Sequence, residues 1–334
     1  MTQTTERPAV NLTQKGRGVV ADRTFWIISL VSGLLVLAVL ALILFTTLRE
    51  AWPALSYSGT DFFTSSTWVP NDPDGDGPLG PQFGALAFIY GTVVVSLISL
   101  IFAVPISIGI ALFLTELAPR RLRAAAVTVI DLLASVPSVV FGLWGIIVVG
   151  PALVKVFSWF HHVFGGVPVI GSVVGEPASS GRTFTTAGII VAIMIVPIIT
   201  SITREIFATV PESEKHAAFA LGATRWEMIR GAVFPHSFGG MVGAIMLGLG
   251  RAMGETIAVS LTIGAATQIV PNIFASGNAL PAVIVQNWGD PGVPPGRSAL
   301  IACGVVLFAI TIIINYAARI VVRRAEIRMK GAAA

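Results

Sequence analysis

The 334 residues are 54% hydrophobic and only 11% charged, with a mean hydropathy of +0.85. Those proportions exclude an ordinary soluble globular protein and indicate a polytopic membrane protein. The pI of 9.6 calls for no nucleic-acid partner, because the basic residues fall in loops between apolar runs, and a single cysteine, Cys303, leaves no intrachain disulfide.

A polar tail over 1–24 precedes six apolar runs at 25–47, 85–114, 124–150, 186–203, 237–265 and 298–322. Each is long enough to cross a bilayer as a helix, which predicts an all-α chain with six transmembrane helices set in membrane lipid. The first run is longer than a signal-peptide core and lacks a small-x-small cleavage site, so it reads as a retained span. The loop at 48–84 carries Asp72-Pro-Asp-Gly-Asp-Gly77, the first half of a calcium loop. Phe83 stands where the twelfth-position acid belongs and Pro73 and Pro78 disturb the turn, so this is a solvated acidic turn and no metal site is expected. Pro105 predicts a bend in the second run. Asp131, in the third, lies about 10 Å from the start of that run; it is either a partner for Arg251 or an interfacial residue. Pro137 and Gly142 suggest a bend or a close helix contact. Trp159-Phe-His-His-Val-Phe164 reads as an interfacial aromatic segment.

Loop charge predicts orientation. Sixteen Lys and Arg lie in the tails and in the loops that share their side, among them Arg120, Arg121, Arg123, Arg204, Lys215, Arg225, Arg230 and Arg319. Four, Arg49, Lys155, Arg182 and Arg297, lie on the other side, and Arg251 is inside a run. The positive-inside rule then places both termini in the cytoplasm, with a cytoplasmic tail at 323–334.

The same rule puts residues 205–236 on the cytoplasmic side. Thr209-Val-Pro-Glu212 has the form of a helix start, and Gly222 that of a stop. Thr224-Arg-Trp-Glu227 is a capping box that begins a second helix, closed at Pro235. Two short helices joined at a glycine make a knob suited to a groove on a partner, or an ordinary cytosolic hairpin.

The fifth run holds the chain's chemistry. Gly248-Leu-Gly-Arg-Ala-Met-Gly-Glu-Thr256 places Arg251 and Glu255 within the membrane, where charge is costly and has a partner or a water-filled path. An i, i+4 spacing on a continuous helix sets them on one face, within pairing reach. Gly239, Gly243, Gly250 and Gly254 form a small-residue stripe on a neighbouring face, suited to close helix packing. A permanently charged guanidinium fork suits a phosphate-like oxyanion. The functional reading is an anion path in which Glu255 positions Arg251 and weakens its grip; the alternative is a structural ion pair between helices. No Gly-x-x-x-x-Gly-Lys-Ser/Thr loop, Ser/His/Asp set or metal cluster stands out, so no catalytic residue is assigned.

The 216–235 stretch resembles the docking loop of ABC importer permeases. Ala217, Ala218, Gly222 and Pro235 stand in register with that pattern, while His216 replaces its first glutamate, with Glu214 two residues before, and Arg225 opens the second helix. Gly250-Arg-Ala-Met-Gly-Glu-Thr-Ile-Ala-Val259 is similar to the fifth-span motif of the phosphate-importer permeases of the PstC type. Gly84-Ala-Leu-Ala-Phe-Ile-Tyr-Gly-Thr92 and Val136-Pro-Ser-Val-Val-Phe-Gly-Leu-Trp-Gly145 extend the likeness, which covers about residues 80–325. The resemblance implies a type I importer permease of MetI-like fold, with a permease core at 85–322. It implies a PstA-like sister permease, two PstB-like ATPase subunits that bind the ATP and Mg, and an extracytoplasmic phosphate-binding protein. Arg251 and Glu255 fall on the family's transport residues. Rival readings are a permease for another oxyanion or small solute, and an ATP-independent carrier.

Overall fold

The computed structural model describes residues 19–71 and 80–331. The acidic turn at 72–77 and most of the polar N-terminal tail lie outside the described residues. The chain forms two compact units, residues 1–49 and 50–334. The first is represented by helix α1 (Val19–Ser58), which runs on into the second. Its residues from Phe25 to Leu48 are apolar on every side, as a membrane helix requires, and the expected span at 25–47 lies inside it.

The second unit begins at the end of α1, where Ala51 and Ala54 are buried. Helix α2 (Asp61–Thr64) and a two-residue antiparallel pair, β1 (Trp68–Val69) with β2 (Gln82–Phe83), follow. Trp68 lies opposite Phe83 across the pair and meets the rings of Phe83 and Phe88 edge-on at 5.3 and 5.1 Å. Helix α3 (Leu86–Leu112) runs through Pro105 and ends in a π turn at Phe113–Leu117. Next come α4 (Arg120–Ala134), α5 (Ser138–Trp144), a π turn at Gly145–Val149, α6 (Gly150–Phe164), α7 (Ile170–Val173) and α8 (Phe184–Ala208). Helix α9 (Glu212–Ala220) precedes α10 (Arg225–Met228), which passes through a π turn at Ile229–Val233 into α11 (Phe234–Gly254). Helices α12 (Ile257–Thr262), α13 (Leu280–Asn287) and α14 (Gly296–Gly331) complete the described chain.

Six helical stretches are long and apolar enough to cross a membrane, in the order the sequence predicts, at Val20–Ser58, Leu86–Leu117, Ser138–Phe164, Phe184–Ala208, Arg225–Gly254 and Gly296–Ile320. Two boundaries differ in ways that matter. The third span begins at Ser138, not at 124. Residues 120–134 form the separate helix α4, whose one polar and one apolar face suit an interface, and Pro137 opens α5 from extended backbone. The fifth helix ends at Gly254 instead of running to 265, and α12 starts afresh after it.

Helix α8 is central. Of its most apolar window, 67% is buried, against 33% or less in the second, third, fifth and sixth spans. Small residues bring its neighbours close. A Cβ on Gly188 would lie 2.4 Å from Ile98 of α3, and Cβ atoms on Gly240 and Gly248 would lie 2.8 and 2.6 Å from Ile206 and Ile199 of α8. Gly142 lets α5 approach α12, where a Cβ would sit 3.0 Å from the Cα of Ala258. Buried hydroxyls on α3 return to its own backbone: Thr92 donates to the Phe88 carbonyl at 2.7 Å and Ser96 to that of Thr92 at 2.7 Å. The irregular stretch at 263–279 is likewise tied into protein. Tyr90 donates to the Val270 carbonyl at 2.8 Å, Thr185 to that of Ile273 at 2.8 Å, and the Leu280 amide to Thr92 Oγ1 at 2.9 Å. Non-helical backbone at membrane depth needs such internal partners.

Within this chain, Gly243, Gly250 and Gly254 of the stripe seat no other helix. Nothing lies within 4 Å of a Cβ on Gly243, Gly250 or Gly254, and packing falls instead to Gly240 and Gly248. Gly248→Val is expected to destabilise the fold by about 1–3 kcal/mol, because Ile199 is fully buried and has nowhere to go. Thermal unfolding in detergent measures this; an unchanged midpoint would contradict the α8–α11 contact.

Candidate functional site: a basic cavity and a coupling surface

Arg251 occupies the last turn of α11, where a cation complements the helix C-terminus. Its side chain is exposed and faces a cavity of about 810 Å³ between α8, α11 and α14. Gly239, Gly243 and Gly250 line that cavity beside it, with Asn315 and Arg319 of α14. The stripe expected to seat a helix thus walls an open space.

Glu255 does not pair with Arg251. The helix stops at Gly254 and Glu255 takes extended backbone, φ −69° and ψ 121°, so the i, i+4 geometry that pairing requires is lost. Glu255 is buried, 8% exposed, and no ion pair joins it to Arg251 among the described residues. Thr256 fixes the break by donating from Oγ1 to the Gly254 carbonyl at 3.1 Å. Asp131 is removed from the path as well. It sits exposed on α4, outside the third span, and pairs with no cation among the described residues.

The predicted coupling loop at 205–236 is present in altered form. Thr209 does not cap α9: its hydroxyl donates back to the Ile206 carbonyl at 2.7 Å, and Pro211, in extended backbone, opens the helix. Gly222 does stop it, at φ +83°. Thr224 and Glu227 form the reciprocal capping box, with the Thr224 amide donating to Glu227 Oε2 at 2.7 Å. Pro235 does not close the second helix. The π turn at Ile229–Val233 absorbs its missing N–H, and the helix continues to Gly254. The knob's second helix is thus the foot of the fifth span.

The loop's face and its root differ in chemistry. Leu221 at the tip is 90% exposed, with Phe219 and Trp226 exposed beside it. His216, Ala217 and Arg225 are also exposed. Glu214 meets His236 at 3.4 Å. Beneath, half-buried Ala218 packs on a cluster of Ala111, Phe207, Met228, Ile229 and Val233, which ties α9 to α3, α8 and α11. One contact was not anticipated from sequence. Lys215 is buried and its Nζ donates to Glu116 Oε1 at 2.9 Å and to Glu212 Oε1 at 3.2 Å. Burial lowers the Lys215 pKa, but the Glu116 and Glu212 carboxylates outweigh it and the net shift is upward. A lone acid at the end of the second apolar run, and a lone lysine in the loop, were the available signals.

Gly222→Val is expected to strain the tip by about 1–2 kcal/mol, because a β-branched residue is ill-suited to positive φ. If this face docks an ATPase as the sequence predicts, weaker co-purification of that partner would register it; undiminished co-purification would count against the loop tip as a docking surface.

Residues 103–327 match the family described as "Binding-protein-dependent transport system inner membrane component". The chain belongs to that family. Among its relatives, the phosphate transport system permease protein PstC of Mesorhizobium japonicum is 39% identical over 318 residues, covering 93% of each chain. The PstC of Xylella fastidiosa is 38% identical over 323 residues, covering 95% of this chain and 96% of its own. The fold is shared with a solved bacterial alginate ABC transporter bound to its periplasmic protein, at TM-score 0.55 and 18% identity over 92% of this chain and 98% of that one. This permease is accordingly a multi-pass membrane subunit of an ABC importer.

Proposed function

We propose that this chain is the transmembrane permease subunit of an ATP-driven importer of inorganic phosphate. The observation that carries the reading is its 38–39% identity to two PstC permeases over more than nine-tenths of its length. The basic cavity below Arg251 supports it, since a fixed guanidinium in an apolar wall attracts an oxyanion. The subunit has no catalytic site of its own. A PstA-like permease completes the transmembrane path, two PstB-like ATPase subunits bind the ATP and Mg, and a phosphate-binding protein delivers the substrate from outside. Both termini and the Phe219, Leu221 and Trp226 face are cytoplasmic, in the inner membrane of a prokaryote. ATP-driven closure of the ATPases pulls on α9 and α10 and switches the cavity between inward- and outward-facing states.

Uptake of labelled phosphate, in cells lacking this chain and in the same cells with it restored, tests the assignment. Restored ATP-dependent uptake that excess sulfate or molybdate leaves unchanged is the expected result. Assembly with an ATPase but no restored uptake would retain the permease and discard the substrate.

A further inference from the structure

Arg251 is not the only cation in its cavity. Helix α14 brings Asn315 and Arg319, four residues apart and so on one helical face, to the same space of about 810 Å³. No acidic residue lines it, and neither guanidinium is ion-paired among the described residues. The α11 wall combines bare backbone at Gly239, Gly243 and Gly250 with the apolar side chains of Val242, Met246 and Leu247. From Gly239 to Arg251 that helix rises about 18 Å, so the space is a slot more than three helical turns long. Helix α11 rises from the coupling loop, and α14, the next span, runs back toward the basic end of the chain. Arg319 therefore belongs to the coupling-loop end of the slot and Arg251 to the far end.

We propose that Arg319, with Asn315 beside it, is a second anion station on the path that Arg251 opens. This rests on the reading of the chain as a phosphate permease. Two separated cationic sites in a mostly apolar wall hold an oxyanion loosely at each and let it pass between them, whereas one tight site would trap it. A space of about 810 Å³ is large enough for the anion with part of its hydration shell. Asn315 supplies amide donors that orient an oxygen without adding charge. The competing occupant of an exposed arginine at the end of an apolar span is a lipid phosphate, which shares the same chemistry.

The assembled importer in proteoliposomes separates these. The unsubstituted complex is assayed first. Arg319→Gln is then expected to lower phosphate uptake about tenfold at unchanged ATPase co-purification, with Arg319→Lys retaining much of the rate. In a Cys303→Ala background, Asn315→Cys is expected to react with a negatively charged methanethiosulfonate, and millimolar phosphate is expected to slow that reaction. Full-rate uptake by Arg319→Gln overturns the station alone, as does an Asn315→Cys that never reacts. Labelling that ignores phosphate but slows when anionic lipid replaces zwitterionic lipid overturns it in favour of a headgroup site. No uptake by the unsubstituted complex overturns the phosphate reading and the station with it.

Discussion

Arg251→Gln is expected to lower phosphate uptake by about 100-fold, the scale on which losing one positioned donor to an oxyanion slows a reaction. The complex is expected to assemble and dock its ATPase normally. Arg251 sits at the end of α11 with its side chain in open space, and it holds no ion pair among the described residues. Its contribution to the fold is the favourable placement of a cation at a helix C-terminus, about 0.3–1 kcal/mol. That is too little to unfold a membrane subunit, so the loss falls on transport. Arg251→Lys keeps the charge but not the planar fork, and an intermediate rate is expected. Initial rates of labelled phosphate entry, normalised to assembled complex, are the measurement. A wild-type rate in Arg251→Gln would remove this residue from the path.

The cavity also bears on Glu255. Read from sequence, Glu255 positions Arg251; in the structure it is buried behind the helix break without that partner. It forms no ion pair with Arg251 among the described residues, so the expected restraint is not made within this chain.

Long apolar runs made the six spans legible, and turn chemistry made the coupling loop legible. Gly222 and the Thr224–Glu227 box depend on local geometry and were readable as such. The misread features depend on where helices end. Residues 124–134 are apolar enough on average to merge with the following span, and only the amphipathic pattern and Pro137 separate them. The fifth helix stops at a Gly-Glu-Thr that hydropathy does not register as a break. The π turn before Pro235 leaves no side-chain signature, so proline read as a stop. Which glycines pack within the chain is a question of helix phase against α8: Gly240 and Gly248 meet it, while Gly239, Gly243 and Gly250 line a cavity.

Lys215 and Glu116 are 99 residues apart in sequence, beyond any local pattern, and they are the subject of the second large effect. Both side chains are 10% exposed and sit 2.9 Å apart, joining the coupling helix α9 to the π turn that ends the second span. In the proposed assembly, motion imposed on α9 by an ATPase would reach the bundle through this contact and through the apolar cluster around Phe207. Removing Glu116 leaves Lys215 with only the exposed Glu212, and removing Lys215 leaves Glu116 buried without a cation, at a cost of about 1–3 kcal/mol. Glu116→Leu alone is therefore expected to displace α9 and reduce co-purified ATPase about tenfold, since about 1.4 kcal/mol corresponds to tenfold. Glu116→Leu with Lys215→Met removes both charges, restores an apolar seat and is expected to recover much of the docking. The pH dependence has a defined sign. The Lys215 pKa is raised in the folded chain above its ordinary 10.5. The stabilisation is thus fully present below that value and is lost only as pH rises through the higher folded pKa. Docking should be flat across neutral pH and fail in strongly alkaline solution, in the native complex but not in the double variant. A single variant that docks as well as the double variant would show that α9 is held by its apolar root alone.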